Sequence, residues 1–203
     1  MAKKKRLFSQ AEVEAQLGTG LYHVVAEADW PAMRLLGFDS STKTLGGVLL
    51  DAGTGRLLAY FGFDWHSYYL ADRIGMQQAM LERLLPRLTI GALWIGVGVE
   101  LPASGDFRGA GALVVGGPLT VMGAARRSGL DLFEYNPTNL KVAMTGNPSA
   151  DKAAMMQFAT LTAGVAFTDN NTADGYAAAL CLLADYRLAG GDVQKLRAIR
   201  IAR

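Results

Sequence analysis

The chain has 203 residues, of which 51% are hydrophobic, so it is long enough for one domain with a substantial core. Its net charge of +2 excludes a polycationic protein, and its single cysteine excludes both an internal disulfide and a cysteine metal cluster. No apolar run is long enough to span a bilayer, and no apolar signal core follows the basic start, so we expect no membrane partner and no secretory signal. The use of one cysteine favours a reducing compartment, and the expected location is cytoplasmic, in a bacterial or virus-infected cell.

Residues 1–32 are predicted to be an extension ahead of the folded domain. The run Ser9-Gln10-Ala11-Glu12 matches a capping box, which predicts a short helix over residues 10–17 that ends at Gly18. The first six residues hold four basic side chains, and a predicted basic tail, residues 191–203, holds four more. Such clusters favour a polyanionic partner, although solvated chain ends have the same composition.

Three apolar runs then predict strands over residues 33–39, 44–51 and 56–63. Their links are short, and the stretch 51–55 is a turn signal, so the three strands should form an antiparallel meander. The first run ends in Asp39. A carboxylate at the end of a central strand is costly to bury unless it is paired or holds a metal ion.

The rest of the chain alternates helical and strand patterns. Apolar spacing predicts a helix over residues 71–87 that Pro86 closes, and an unbroken apolar run over residues 93–100 predicts a strand that ends in Glu100. The order of elements indicates an α/β domain over residues 33–190, with a mixed five-stranded sheet flanked by helices. The later elements are a helix, a short strand, a linker with proline and glycine, and two helices (residues 113–128, 132–135, then 149–163 and 172–188).

Asp39, Glu100 and Asp174 stand at the ends of predicted elements. If the first and fourth strands are neighbours, Asp39 and Glu100 meet at one sheet edge, and the start of the last helix adds Asp174. Three such carboxylates cannot all stay ionised without a cation, and oxygen-only ligands favour Mg²⁺ or Mn²⁺. Two ions about 4 Å apart would support phosphodiester cleavage. Taken singly, each acid has a simpler role: Asp39 could cap its own turn, Glu100 could be solvated at a loop edge, and Asp174 could favour its helix dipole. Taken together, in this order of elements, they favour a metal site.

Four stretches carry a resemblance to a known family. They are Leu36-Gly37-Phe38-Asp39-Ser40-Ser41-Thr42, Val99-Glu100, Ala173-Asp174-Gly175-Tyr176-Ala177 and, most specifically, the segment from Phe133 to Lys152. Together they resemble the RuvC-type Holliday junction resolvases, within the RNase H-like or retroviral-integrase superfamily. The resemblance covers about residues 33–188 and implies an RNase H-like fold.

The resemblance also implies an activity: a structure-specific DNA endonuclease that cuts four-way junctions by paired symmetric nicks, in DNA recombination and repair. Asp39, Glu100 and Asp174 would hold Mg²⁺, which Mn²⁺ can replace, with two ions in each active site. A metal-activated water would attack the phosphorus in line and leave a 5′-phosphate and a 3′-hydroxyl. Branched DNA is the implied partner. Two opposed cuts need a two-fold homodimer, for which residues 117–128 are the candidate face.

Two lysines have matching positions in the same family. Lys141 and Lys152 correspond to lysines near the scissile phosphate, where they would hold phosphate oxygens and offset charge in the transition state. The alternatives are a surface-loop lysine for Lys141 and a solvated lysine for Lys152. We expect both lysines to be catalytic and to bind DNA.

Two positions depart from the family pattern. The family has a second acid or a histidine one turn before its last acid, where this chain has Asn171, either an auxiliary metal ligand or a plain N-cap. The family also has an aromatic wedge three residues after its second acid, where this chain has Ala103. Phe107 and Arg108 lie close by in the sequence and are predicted to contact DNA.

Other functions fit parts of the sequence. Ala103 leaves open a broader branched or flap DNA nuclease of the same fold, and Asn171 leaves open a weakly active junction-binding protein. The Asp39 segment also resembles the phosphate loop of sugar kinases and actin-like ATPases, but the chain lacks the second such loop. His66 and Cys181 are expected to be a packed or surface histidine and a buried packing thiol.

Overall fold

A single six-stranded sheet forms the centre of the fold. The structure is a computed structural model that describes residues 8–66, 70–101 and 111–201. The strands are β1 (Leu21–His23), β2 (Met33–Ser40), β3 (Thr44–Asp51), β4 (Leu57–Asp64), β5 (Trp94–Glu100) and β6 (Asp131–Tyr135). Their order across the sheet is β1-β4-β3-β2-β5-β6.

The five strands predicted from apolar runs are all present. β2, β3 and β4 form the antiparallel meander, and β5 and β6 run parallel to β2 on its other side. The sixth strand, β1, is not predicted by the sequence pattern and corrects the expected strand number. It pairs with the edge of β4, Tyr22 opposite Tyr60, so part of the predicted extension belongs to the sheet. The division at residues 32 and 190 stays a prediction.

Helices cover both faces of the sheet. They are α1 (Gln10–Gly20), α2 (Leu70–Thr89), α3 (Gly111–Arg127), α4 (Pro137–Thr145), α5 (Lys152–Ala163), α6 (Asn170–Leu188) and α7 (Val193–Ile201). Within the described ranges, no helix is long and apolar enough to cross a membrane.

The two faces bury separate cores because side chains alternate along each strand. Leu36 and Phe38 of β2 join the core on the side of α1, α2 and α3. Leu35 of β2 and Val48 of β3 join the core on the side of α6, together with residues from α4, α5 and α7. β2 is therefore buried on both faces, and α6 packs directly across β2, β3 and β5.

Several helix boundaries differ from the predicted ones. The capping box at Ser9 is present, but α1 continues past Gly18 to Gly20. Pro86 lies inside α2, which ends at Thr89. Helix α5 begins at Lys152 because Asp151 caps it, three residues later than predicted.

Two helices occupy segments for which no helix or strand was predicted, the linker and the basic tail. The linker contains α4, which Asn136 caps, with Pro137 in its first turn and Gly146 in a left-handed conformation at its end. The basic tail contains α7, because Leu196 is buried against the core while its charged neighbours face outward. Both segments form nine-residue helices that the sequence pattern did not identify.

Candidate metal centre

Three carboxylates meet at the carboxyl end of the parallel strands. Asp39 of β2, Glu100 at the end of β5 and Asp174 of α6 offer ligand oxygens that all lie within 4.8 Å of one another. β2 and β5 are parallel neighbours with Phe38 opposite Val99, so Asp39 and Glu100 follow each other at the same sheet edge. The predicted convergence of the three acids is therefore present.

Glycines in the strands allow α6 to approach close enough to add the third acid. A Cβ atom on Gly37 would collide with the carbonyl oxygen of Gly175 in α6. A Cβ atom on Gly46 would lie 2.5 Å from backbone atoms of Asn171 and Thr172. No larger residue fits at either position unless α6 moves, so the helix start lies directly on β2 and β3.

Asp169 and Thr172 fix the first turn of α6. Asp169 is the N-cap, and its Oδ1 accepts a hydrogen bond from the Thr172 backbone N–H at 2.8 Å. The buried Thr172 hydroxyl lies 2.8 Å from Asp169 Oδ2 and 3.1 Å from the carbonyl oxygen of Phe61 in β4. The interpretation of Asn171 as the N-cap is wrong, since Asn171 is the second residue of the helix.

Asn171 lies one turn before Asp174, on the same side of α6. Its side chain is half-buried and forms no hydrogen bond with any described residue. The amide oxygen therefore has no competing partner in the described part of the chain, which is what a weak metal ligand requires.

Burial, with a smaller contribution from neighbouring charges, perturbs the ionisation of the three acids. Burial and the charge of Asp174 raise the pKa of Glu100 to about 7. Burial also raises the pKa of Asp174 to about 6. The pKa of Asp39 is raised well above its usual value by burial and by the charges of Glu100 and Asp174. Without a cation, this pocket disfavours three negative charges at once.

Lys141 and Lys152 lie on the helices beside the acids, in α4 and at the start of α5. The charge of Lys152 opposes the rise in pKa of Asp39, Glu100 and Asp174, and that of Lys141 opposes it for the latter two. Neither lysine forms an ion pair with the acids. Their ammonium groups are thus within electrostatic range of the centre, and Lys152 is exposed.

The donor set fits a hard divalent cation. All three ligand groups are carboxylates, Asn171 adds an amide oxygen, and the described part of the pocket brings no sulfur or imidazole to the cluster. None of the three acids accepts a hydrogen bond or forms an ion pair with a described residue. A bound cation would supply the missing positive charge and lower the cost of ionising them together.

Alternative roles for single acids find little support. The turn after β2 is held by Ser41, whose Oγ accepts hydrogen bonds from the backbone N–H groups of Lys43 and Thr44 at 3.1 and 3.2 Å. Asp39 therefore does not cap its own turn.

Ala103, Phe107 and Arg108 lie outside the described residues. The missing aromatic side chain at position 103 and the proposed DNA contacts of Phe107 and Arg108 therefore stay predictions.

His66 and Cys181, for which the sequence predicted structural roles, are not among the acids of the cluster. His66 is exposed and its Nδ1 contacts the carboxylate of Asp64. Cys181 is buried in α6, and its thiol lies 3.6 Å from the carbonyl oxygen of Asn139. Both match the expectation of a surface histidine and a packing thiol.

The basic residues of α7 lie far from the acids. Helix α6 carries Asp174 near its start and ends at Leu188, and α7 follows that far end. A rise of 1.5 Å per residue separates these two points of α6 by about 20 Å. Lys195 and Arg197 therefore lie at the opposite end of the sheet from the carboxylates.

Sequence reasoning missed the groups that position the acids. It did not identify Asp169 as the cap that starts the last helix. A residue of the Asp, Asn, Ser or Thr class just before a helical pattern is the signal that could have found it. Gly46 and Gly62, inside predicted strands, were a further signal of close backbone approach.

Comparison with known proteins identifies relatives over about three quarters of the chain. No protein-family model matches the sequence. A Chloroflexus aggregans protein named crossover junction endodeoxyribonuclease RuvC is 31% identical over 161 residues, covering 73% of this chain and 92% of the relative. A protein of the same name from Anaeromyxobacter sp. strain K is 36% identical over 158 residues, covering 75% and 81%.

A solved structure matches the fold. Thermus thermophilus RuvC in complex with a Holliday junction substrate superposes with a TM-score of 0.63 at 22% identity. The match covers 77% of this chain and 96% of that one. The chain therefore has the same fold as a protein whose structure was solved with junction DNA.

Proposed function

The chain belongs to the RuvC family of crossover junction endodeoxyribonucleases, and from this membership we propose that it cuts four-way DNA junctions by paired symmetric nicks. Membership makes it a structure-specific DNA endonuclease with a place in DNA recombination and repair. The observation that carries the proposal is the convergence of Asp39, Glu100 and Asp174 within 4.8 Å. Branched DNA is its substrate class.

Asp39, Glu100 and Asp174 are the proposed metal ligands, with Asn171 as an auxiliary oxygen donor. Mg²⁺ is the proposed cation, two per site, and Mn²⁺ should replace it because both prefer oxygen ligands. When bound, such cations lower the pKa of water and stabilise the leaving oxygen of a phosphodiester. The protein's part is to hold three ionised carboxylates in a half-buried pocket.

Lys141 and Lys152 are proposed to hold the non-bridging oxygens of the scissile phosphate. Their positive charges face a pocket that is otherwise acidic, so they offset repulsion between the DNA backbone and the three carboxylates. They also oppose the extra negative charge that develops at phosphorus during the displacement. The expected products are a 5′-phosphate and a 3′-hydroxyl.

A two-fold homodimer is proposed because two opposed strands must be cut. Residues 117–128 of α3 are the candidate face. Leu119 on this helix is 57% exposed, which is consistent with an apolar surface that a second copy covers. The exposed Arg126 and Arg127 at the end of α3 lie beside it.

A broader branched or flap nuclease of the same fold is the second candidate. Ala103 favours it, since this position lacks the aromatic side chain that the resemblance predicts at a junction centre. Phe107 and Arg108 are proposed DNA contacts that could supply the missing selectivity. The third candidate is a protein that binds junctions but cuts them slowly. This would follow if the neutral Asn171 bound the second metal ion only weakly.

Cleavage of labelled DNA tests the proposal. Four-way junctions, flaps and linear duplex are incubated with the protein in Mg²⁺, Mn²⁺ or EDTA. We expect symmetric nicks in junctions with either cation and none in EDTA. Equal cutting of all three substrates would favour the broader nuclease, and junction binding without any cutting would favour the binding protein.

A further inference from the structure

Asp169 is a charged residue beside the acid cluster that the proposed coordination does not use. Both of its carboxylate oxygens face Thr172, one at the backbone N–H and one at the hydroxyl, each at 2.8 Å. It forms no ion pair with any described residue. Its negative charge is therefore held in a fixed place without a neutralising cation from the described chain.

The sheet register places this charge near the centre but outside ligand range. Asp39 lies opposite Gly46, and Gly46 lies opposite Gly62. A Cβ atom on Gly62 would lie 2.7 Å from Asp169 Oδ2, so the carboxylate stands over Gly62. Two strand spacings separate Gly62 from Asp39, which is about 10 Å. Asp169 accordingly does not belong to the group whose ligand oxygens meet.

The charge is felt at the centre all the same. Asp169 precedes Asp174 by five residues, and the segment that carries both packs on the side of the sheet where Gly37, Gly46 and Gly62 contact it. A fixed negative charge at this place favours a cation at the centre. The strand positions below the two groups are about 10 Å apart. A charge effect over a separation of this order is modest and sensitive to salt, because the Debye length at physiological ionic strength is about 8 Å.

We propose that Asp169 is a positioning residue that also strengthens divalent-cation binding through space, without becoming a ligand. This inference rests on the proposed metal centre. It assigns two tasks to one side chain: the cap seats α6 so that Asn171 and Asp174 face Asp39, and the charge adds a negative field. The added charge matters because Asn171, which lies one turn before Asp174 on the same side of α6, is neutral and contributes no charge to cation binding.

The variant Asp169→Asn separates the two tasks. Asparagine caps helices as well as aspartate does, and its amide can both accept from the Thr172 N–H and donate to the Thr172 hydroxyl oxygen. Only the charge is lost. Asp169→Ser, another good cap, is the second variant. The matched control is Asp192→Asn, which changes a carboxylate that accepts hydrogen bonds from Gln194 and Lys195 at 2.8 and 3.2 Å, at the far end of α6.

Titration calorimetry with Mn²⁺ measures the affinity of the full-length protein at low and high KCl concentration. At low salt we expect Asp169→Asn and Asp169→Ser to bind Mn²⁺ about three- to tenfold more weakly than the native protein. At about 0.5 M KCl the difference should fall below about twofold, because salt screens a charge effect and leaves a misplaced ligand unchanged. Asp192→Asn should bind like the native protein at both concentrations.

The outcomes are distinct. Equal affinity of Asp169→Asn and the native protein at low salt would overturn the inference and leave the metal centre standing. A loss that persists undiminished at high salt would also overturn it, since it would mean displaced ligands. If the native protein itself binds no Mn²⁺, the proposed metal centre fails first and the inference fails with it.

Discussion

Acidic residues stand at both ends of the parallel strands, but their surroundings differ. At the amino end, Asp131 opens β6 and is fully paired: the Trp94 indole N–H donates to its Oδ2 at 2.6 Å, and Arg197 of α7 contacts both of its oxygens at 2.7 to 3.1 Å. At the carboxyl end, Asp39, Glu100 and Asp174 have no ion pair with any described residue.

The difference separates a structural end of the sheet from a reactive one. Asp131 holds α7 and the strand starts together, because a bidentate arginine satisfies a carboxylate with protein groups alone. The three acids at the other end repel one another and are left for an external cation. Raised pKa values in a half-buried pocket are typical of functional sites for this reason.

Replacing one acid of the cluster should have the largest effect. We expect Asp39→Asn to reduce junction cleavage by roughly a thousandfold or more, because the variant removes a charged ligand from the proposed cation site. Junction binding should be retained, and gel-shift titration beside the cleavage assay measures both. Unchanged cleavage would mean that Asp39 is not a metal ligand.

Lys152 differs from Arg197 at the other end of the sheet, because it lies near the acids but forms no ion pair with them. Lys152→Ala should lower the cleavage rate by about ten- to a hundredfold, since a charge near the phosphate is lost. The affinity of the Lys152→Ala variant for Mn²⁺ should stay the same or rise, because the substitution removes a positive charge that repels the cation. Single-turnover cleavage and calorimetry distinguish this result from a general loss of the site, in which both quantities would fall.

The unpaired acids should also make stability depend on pH. Folding raises the pKa of Glu100 to about 7 and that of Asp174 to about 6, so the folded, metal-free protein binds protons more tightly than the unfolded chain. The free energy of unfolding therefore falls as pH rises through this range. We expect a contribution of about 2 kcal/mol between pH 5 and pH 8, since solvent screens these half-buried groups.

Urea unfolding in EDTA measures this contribution. Glu100→Gln is the control, because it removes one of the titrating groups and should be more stable than the native protein at pH 8 but not at pH 5. A stability difference between the two proteins that does not change with pH would contradict the assignment. Added Mn²⁺ should restore stability to the native protein at pH 8.

A substitution of Asp131, at the amino end of the parallel strands, should have the smallest effect on stability and activity. Asp131→Asn breaks the charged pairing with Arg197, and we expect a loss of about 1 kcal/mol, or about 2–4 °C in Tm. Cleavage and Mn²⁺ affinity should not change. A reduced cleavage rate at full Mn²⁺ occupancy would show that the two ends are coupled and that the division into structural and reactive ends is wrong.

Much of this arrangement could be predicted from the sequence. The apolar runs before Asp39 and Glu100 are long and bounded by turns, so the strands and their terminal acids follow from pattern alone. Helix α2 between β4 and β5 predicts that β5 runs parallel to β4, and therefore to β2. The pattern does not show that β5 lies beside β2, so the convergence of the three acids was predicted on the condition that these two strands are neighbours.

Other features depend on contacts that a sequence pattern does not contain. β1 has only three residues and exists because the edge of β4 is open to pairing. Helix α7 depends on one buried leucine and on Arg197 reaching Asp131. Asn171 was one candidate for the cap because an aspartate and two asparagines stand in a row. The hydrogen bonds of Thr172 to Asp169 and to Phe61 of β4 distinguish Asp169 as the cap.

The central claim is that Asp39, Glu100 and Asp174 share a divalent cation. Crystals of the protein soaked in Mn²⁺ and measured for anomalous scattering at the manganese edge test it most directly. We predict an anomalous peak with oxygens of all three residues about 2.0–2.3 Å away. A fully occupied Mn²⁺ bound elsewhere, with the three carboxylates free of metal, would contradict the account.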